Sequence, residues 1–293
     1  MNSYDTVIIC AELTELAPLV SRAWLQECLL HGLQTSYQPS NPEKALSSPV
    51  REVSGLRFYS LELPEIPGRV LGVQSGVGIV NAARAATISI EVLGAQQVLY
   101  SGTAGGLAAD SQVGEVVFGD NYVFHNVDAT AFGYPPGQLP GMPASYPGSE
   151  KLVSATHSLL RPSPDAGKSA GENQGKIRLN LASLEAAGGN REKDALINGL
   201  ENIPARCGTI ATGDSFITDA NVSEVRSAFP AALAAEMESA AAAQVAYLSQ
   251  VSFLAVRCVS DLCSPQGQDV YHGNAAVCGA IAAAATICLL GTV

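Results

Sequence analysis

The sequence is poor in positive charge, in histidine and in regularly spaced cysteine. Lysine and arginine number 16 against 27 acidic residues, so the net charge is -11. An acidic surface repels phosphate backbones, and nucleic acid is therefore not expected as a partner. The four histidines lack metal-ligand spacing and the seven cysteines include no CxxC pair. We expect no metal, no cofactor, and reduced thiols in a cytoplasmic protein.

Signals for export and for membrane insertion are also missing. The amino terminus has neither the basic start nor the cleavage site of a secretory signal, so no export is predicted. Only the stretch from Ala275 to Val293 approaches membrane-spanning length. It is rich in alanine and lacks a basic flank. We interpret it as a buried core helix and expect no membrane partner.

The sequence does contain a regular alternation of strand-like and helical segments. Strands are predicted at Thr6–Ala11, Leu56–Leu63, Arg69–Gln74, Gln97–Thr103, Val113–Phe124, Arg206–Ala211, Ala231–Ala235 and Phe253–Val259. Helices are predicted at Leu13–Leu30, Ile79–Leu93 and Met237–Leu248, and from near Gly273. This rhythm predicts an α/β fold with a central mixed sheet flanked by helices. With no repeat and no linker between two cores, residues 1–293 are predicted to form a single domain with a flexible insertion at about 162–176.

Two phosphate-binding patterns are incomplete. Gly167-Lys168-Ser169 resembles the end of a P-loop, but the position of its leading glycine holds Pro162. Gly76-Val77-Gly78 follows a strand and opens a helix, but Asn81 stands where a dinucleotide fingerprint has its third glycine. Neither pattern predicts a nucleotide cofactor.

Three acidic residues follow predicted strands. Glu15 comes after the first strand, Glu238 after the strand at Ala231–Ala235, and Asp261 after the last strand. Open α/β sheets bind ligands at the carboxyl ends of their strands. Carboxylates at such places also suit helix N-termini, which leaves a purely structural interpretation open for each residue singly. Three carboxylates in one crevice are costly unless chemistry requires them, so together they predict a catalytic site.

Six motifs make the sequence resemble a known enzyme family, the 5'-methylthioadenosine/S-adenosylhomocysteine nucleosidases. They are Ser75-Gly-Val-Gly78, Ser101-Gly-Thr-Ala-Gly-Gly-Leu107, Asp128-Ala-Thr-Ala-Phe-Gly-Tyr134 with Gly137-Gln-Leu-Pro-Gly141, Thr212-Gly-Asp-Ser-Phe-Ile217, Glu236-Met-Glu238 and Val256-Arg-Cys-Val-Ser-Asp261. The motifs occur in the family's order and span most of the chain. The resemblance implies a nucleoside phosphorylase-like fold and hydrolysis of the bond between adenine and a 5'-thio-substituted ribose.

The resemblance also implies roles for individual residues. Asp261 matches the general acid that protonates adenine N7, and Ser260 helps to orient it. Glu15 matches the residue that activates water. Glu238 matches the carboxylate that binds the ribose hydroxyls, beside Met237 on the ribose face. These roles fit direct attack by water, which needs an acid on the leaving-group side and a base on the other.

Further positions are implied to contact substrate or a second subunit. Phe216 matches the residue that stacks on adenine, and the Ile217 backbone matches a hydrogen-bonding partner of the base. The remaining positions implied to bind substrate are Gly78, Ala104, Gly105, Glu236 and Tyr271. Phe132, Tyr134 and Pro140 match positions that reach into the 5'-substituent pocket in the active site of the neighbouring subunit, which implies a homodimer.

Several alternatives stay open. A phosphate-dependent phosphorylase is the nearest rival, but neither Leu99-Tyr-Ser101 nor Cys10-Ala-Glu-Leu-Thr-Glu15 carries the arginine that phosphate needs. A nucleoside-binding protein without turnover is a second alternative. Aminofutalosine and 5'-deoxyadenosine are further candidate substrates. Glu12 stands where the family commonly has a methionine beside the ribose, which leaves the substrate range open.

Overall fold

The computed structural model describes residues 4–32, 40–63, 66–162, 174–177, 203–264 and 267–293. The strands are β1 Thr6–Cys10, β2 Arg51–Val53, β3 Leu56–Ser60, β4 Val70–Gln74, β5 Gln97–Gly106, β6 Val116–Phe124, β7 Tyr146–Pro147, β8 Leu160–Pro162, β9 Gln174–Ile177, β10 Ile203–Thr212, β11 Ala232–Glu236 and β12 Ser252–Asp261. The helices are α1 Leu13–Val20, α2 Arg22–His31, α3 Ile79–Thr87, α4 Glu150–Leu159, α5 Val222–Ala228, α6 Ser239–Ser249 and α7 Gly267–Leu290.

These strands form one mixed sheet, which confirms the predicted α/β architecture. Ten of them lie in the order β2-β3-β4-β1-β5-β12-β6-β10-β9-β8. Strands β4, β1, β5 and β12 are mutually parallel, so their carboxyl ends share one edge. Strand β6 is antiparallel to β12 and parallel to β10. The strand direction therefore reverses between β12 and β6, which pair at residues 256–258 of β12.

Strand β11 closes five strands into a ring. It runs parallel to β10 on one side and antiparallel to β5 on the other, with Ala235 opposite Gly105. Strands β5, β12, β6, β10 and β11 are thereby joined edge to edge. This closure carries the residues that follow β11 to the end of β5.

Helices cover both faces of the sheet. The long helix α7 packs with α1 and α2 against one face, where Leu16, Leu25 and Ile281 are buried with Leu254 of β12. Helices α3 and α6 cover the other face mainly with alanine side chains. Residues 269–290 of α7 are long and apolar enough to cross a membrane, but 78% of the most apolar window is buried in the protein. The interpretation of this stretch as a core helix is confirmed.

Three predicted helices differ from the structure. Helix α3 ends at Thr87 and is followed by a π-helix at Ile88–Val92, where a single helix to Leu93 was predicted. The helix predicted at Leu13–Leu30 is two helices, because Pro18 lies in the last turns of α1 and Ser21 adopts an extended conformation. The Ser21 side chain then accepts a hydrogen bond from the backbone N–H of Trp24 and begins α2. Helix α7 begins at Gly267 rather than near Gly273. Its first turns are polar, so apolar periodicity does not reveal them.

The ends of the predicted insertion are more regular than expected. Strands β8 and β9 pair with each other, with Pro162 opposite Gly175, and β9 also pairs with β10. The stretch at 163–173, most of the predicted insertion, lies outside the described residues.

Cys10, Cys207, Cys258, Cys263 and Cys278 are buried free thiols.

Candidate active site

A cavity of about 250 Å³ lies at the carboxyl ends of β1, β5, β11 and β12. Eleven of the residues predicted to form the site line it: Glu15, Ala104, Gly105, Phe216, Ile217, Glu236, Met237, Glu238, Ser260, Asp261 and Tyr271. Its wall also includes Glu12 and Thr103. The three carboxylates singled out from the sequence therefore do face one shared space.

Four predicted residues lie elsewhere. Gly78 is outside the wall, but its backbone N–H donates a 2.9 Å hydrogen bond to Oε1 of Glu238. Phe132, Tyr134 and Pro140 belong to a loop that does not line this chain's cavity. Phe132 is 81% exposed.

Asp261 ends β12 and is almost fully buried. Its Oδ1 accepts a hydrogen bond from the backbone N–H of Cys263 at 2.9 Å, and its Oδ2 accepts one from the Ser260 hydroxyl at 3.1 Å. Burial raises the pKa of Asp261, and these two hydrogen bonds only partly oppose the rise. A carboxyl group that keeps its proton to higher pH is suited to act as a general acid.

Glu15 is held in place by four hydrogen bonds. Its Oε2 accepts from the backbone N–H groups of Ala11 and Glu12 at 3.0 and 3.1 Å. Its Oε1 accepts from the N–H and the hydroxyl of Thr103 at 2.8 and 3.0 Å. Burial raises the pKa of Glu15, and the charge of Arg257 opposes the rise. Of the four donors only the Thr103 hydroxyl can rotate away, so it is the contact that a water molecule can replace.

Gly102 makes the approach of Glu15 to β5 possible. A Cβ atom at this position would lie 2.6 Å from Oε1 of Glu15 and 2.7 Å from a guanidinium nitrogen of Arg257. Any side chain here would displace both groups. Gly102, the first glycine of the motif from Ser101 to Leu107, is thus explained by the close packing of charged side chains against β5.

The two glutamates after β11 have different environments. Glu236 accepts hydrogen bonds from the backbone N–H groups of Glu238 and Ser239 and so caps α6. It also accepts from the Thr212 hydroxyl. Glu238 accepts from Gly78, and burial raises its pKa, opposed by the charge of Arg257. Glu236 is therefore occupied by structural contacts, whereas Glu238 presents its carboxylate to the cavity.

Arg257 is the functional residue that the sequence analysis missed. It lies on β12 and is 1% exposed. Its guanidinium forms ion pairs with Glu236 and, at 3.3 Å, with Glu238. It also lies over the Tyr100 ring, 4.6 Å from the centroid. Burial opposes its charge, but the surrounding carboxylates outweigh burial and raise the pKa of Arg257. The sequence signal that could have identified Arg257 is its position in an otherwise apolar strand, four residues before Asp261.

The three carboxylates are distributed around the end of β5. Strand β5 lies between β1 and β12, so Glu15 and Asp261 approach it from opposite neighbours. Glu15 binds Thr103, whereas Asp261 is in register with Gly105. Among the described residues, no group of three or more histidine, cysteine, aspartate and glutamate side chains could hold a metal ion. The arrangement can supply an acid and a base to one ligand.

Two aromatic rings stand at the edge of the cavity. Phe216 follows β10 and Tyr271 lies in the first turns of α7, and their ring centroids are 6.0 Å apart in an edge-to-face contact. Phe216 is 43% exposed, which is unusual for a ring used only in core packing. It therefore presents a surface on which a planar base can stack.

Comparison with known proteins identifies the family. Residues 41–290 match the model of the Phosphorylase superfamily. The 5'-methylthioadenosine/S-adenosylhomocysteine nucleosidase of Oceanobacillus iheyensis is 36% identical over 212 residues, which cover 72% of this chain and 75% of that protein. The chain belongs to this nucleosidase family.

Solved structures agree with this membership. The nucleosidase of Colwellia psychrerythraea, solved with adenine, has a TM-score of 0.72 and 27% identity, covering 99% of this chain and 96% of that one. The Neisseria meningitidis nucleosidase, solved with methylthio-immucillin-A, has a TM-score of 0.72 and 25% identity, covering 99% and 100%. The family resemblance and the fold inferred from the motifs are both confirmed.

Proposed function

We propose that this member of the nucleosidase family hydrolyses the N-glycosidic bond of 5'-methylthioadenosine and S-adenosylhomocysteine, releasing adenine and the thio-ribose. The observation that carries the proposal is that Glu15, Glu238 and Asp261 line one cavity around the end of β5. Relatives with this fold are nucleosidases, and two of the related structures hold adenine or methylthio-immucillin-A.

In the proposed reaction, Asp261 and Glu15 move protons at opposite sides of the sugar. Asp261 donates its proton to N7 of adenine as the bond from the ribose C1' to N9 breaks and its electron pair passes to the base. Water attacks C1' and gives a proton to Glu15. Glu238 binds the ribose hydroxyls, and its negative charge stabilises the positive charge that develops on the sugar.

The binding of adenine is proposed to use the loop after β10. Phe216 stacks on the base and the backbone of Ile217 hydrogen-bonds to its edge. Asp214 stabilises this loop, because its Oδ1 accepts a 2.9 Å hydrogen bond from the backbone N–H of Ile79 at the start of α3. The same turn presents Gly78 to Glu238. The turn at Gly78 and Ile79 thus holds both the proposed base-binding loop and the proposed ribose-binding carboxylate in place.

Water rather than phosphate is the proposed nucleophile. Within the described part of the chain, no lysine or arginine lines the cavity. The nearby guanidinium of Arg257 is already paired with Glu236 and Glu238. A phosphate ion next to Glu15 would be repelled by its charge.

The proposal is tested by incubating the protein with 5'-methylthioadenosine, S-adenosylhomocysteine, 5'-deoxyadenosine and aminofutalosine, each with and without phosphate. We expect free adenine from the first two without phosphate, and a free thio-ribose as the second product. Release of ribose 1-phosphate derivatives only with phosphate would establish the phosphorylase alternative. Tight binding without any adenine release would establish a binding protein.

We also propose that the protein is a cytoplasmic homodimer in which the Phe132, Tyr134 and Pro140 loop completes the partner's site. An exposed Phe132 ring on an ordered loop supports a protein contact. Sedimentation is expected to give twice the 30.2 kDa chain mass. Phe132→Ser is expected to raise KM for 5'-thio nucleosides by about tenfold, a typical loss for a buried aromatic contact. A monomeric wild-type enzyme with full activity would contradict this.

A further inference from the structure

Glu12 and Tyr271 form a polar pair in the cavity wall. Glu12 lies between β1 and α1, and Tyr271 lies in the first turns of α7. The Tyr271 hydroxyl donates a 2.5 Å hydrogen bond to Oε2 of Glu12. Both residues line the cavity and both are half-buried. The contact joins the start of α1 to the start of α7 across the same opening.

Neither Glu12 nor Tyr271 takes part in the proposed proton transfers or in the proposed binding of adenine and the ribose hydroxyls. Adenine is assigned to the Phe216 loop and to Asp261, the ribose hydroxyls to Glu238, and the attacking water to Glu15. The wall formed by Glu12 and Tyr271 therefore remains, together with the partner loop proposed above, for the group that the ribose carries at its 5' carbon. This deduction rests on the proposed function, because it uses the placement of base and sugar given above.

The pair is negatively charged. Tyr271 is a neutral donor, and burial together with the hydrogen bond to Glu12 raises the pKa of its hydroxyl. In the part of the chain that the structure describes, no lysine or arginine forms an ion pair with Glu12. A partly solvated carboxylate held in a fixed orientation attracts a cation and repels an anion.

We propose that Glu12 is a specificity-determining residue that favours adenine nucleosides whose 5'-thio substituent carries a positive charge near the sulfur. Tyr271 is the positioning residue for this carboxylate. A neutral alkyl group of equal size would gain the same apolar contacts without the charge interaction. A substituent of equal size that carries a carboxylate in place of the cation would be disfavoured.

The test compares two nucleosides of nearly equal shape. One is 5'-(2-aminoethylthio)-5'-deoxyadenosine, whose substituent ends in an ammonium group, and the other is the 5'-propylthio analogue, which ends in a methyl group. We expect the wild-type enzyme to show a kcat/KM about tenfold or more higher for the ammonium compound, and the ratio should fall with added salt. Glu12→Gln should reduce the ratio to about one.

Two further variants separate charge from structure. Tyr271→Phe removes the donor but keeps the carboxylate, so the ratio should fall to an intermediate value. A purely structural loss would change both substrates equally. Glu52→Gln removes one exposed carboxylate on β2, away from the cavity, and should keep the wild-type ratio. A ratio near one in the wild type, or an unchanged ratio in Glu12→Gln, would overturn the proposal.

Binding measurements keep this test independent of turnover. The dissociation constants of the two nucleosides are measured by calorimetry on Asp261→Asn and on the Glu12→Gln, Asp261→Asn double variant. A preference for the ammonium compound that disappears in the double variant supports the role of Glu12 even if the wild type releases no adenine. Absence of adenine release from the propylthio compound by the wild type would count against the proposed function alone.

Discussion

Asp261→Asn is expected to lower kcat by about 10² to 10⁴-fold, the usual contribution of a general acid. The amide has no proton acidic enough to transfer to N7. It still accepts the Cys263 N–H with its oxygen, and its NH₂ group can meet the Ser260 hydroxyl as acceptor, so the local fold should persist. The measurement is adenine release at saturating substrate, with circular dichroism to verify folding.

The pH profile gives this prediction its control. An acid must be protonated, so the wild-type rate should fall as pH rises through the raised pKa of Asp261. The variant should lose that alkaline limb. Asp219→Asn changes an exposed aspartate outside the cavity wall and should keep the wild-type profile. An Asp261→Asn enzyme with near-normal kcat would show that the residue is not the acid.

Glu15→Gln is expected to lower both activity and stability. Loss of the base should reduce kcat by about 10² to 10⁴-fold and remove the acidic limb of the pH profile, because a base must be deprotonated. Both oxygens of Glu15 accept backbone N–H groups. An amide NH₂ must replace one oxygen, which leaves a buried donor unsatisfied and costs about 1–3 kcal/mol of unfolding free energy.

Activity and stability are measured separately for this variant, by adenine release and by urea unfolding. Glu62→Gln, an exposed change in the segment after β3, should alter neither. A Glu15→Gln protein that is destabilised but retains the wild-type rate and acidic limb would reduce Glu15 to a structural residue. That outcome would favour the structural interpretation of Glu15, in which its carboxylate serves only the start of helix α1.

The sequence predicted the elements that depend on strong local patterns. Buried strands such as β1 and β12 are continuous apolar runs, and the acidic residues that follow them stand out for that reason. The structural and the functional interpretation of Glu15 are also compatible with each other. Glu15 accepts the backbone N–H of Glu12, the N-cap residue of α1, and still lines the cavity.

The sequence could not reveal features created by long-range contacts. The antiparallel pairing of β11 with β5 is not encoded in the pattern of either strand, although it brings Glu238 to the site. Arg257 was quoted within a motif, but only the fold shows that it faces Glu236 and Glu238. The contact of Glu12 with Tyr271 spans 259 positions and depends on where α7 begins.

The ring closed by β11 has a consequence for how the site forms during folding. Its strands come from positions between Gln97 and Asp261, and four of its five pairings join strands that lie far apart in the chain, so large loops must close. Such nonlocal topology slows folding. The nascent chain cannot bring Glu15, Arg257 and Asp261 together until β12 has emerged and paired with β5. The cavity is therefore completed only after the chain has been made as far as Asp261.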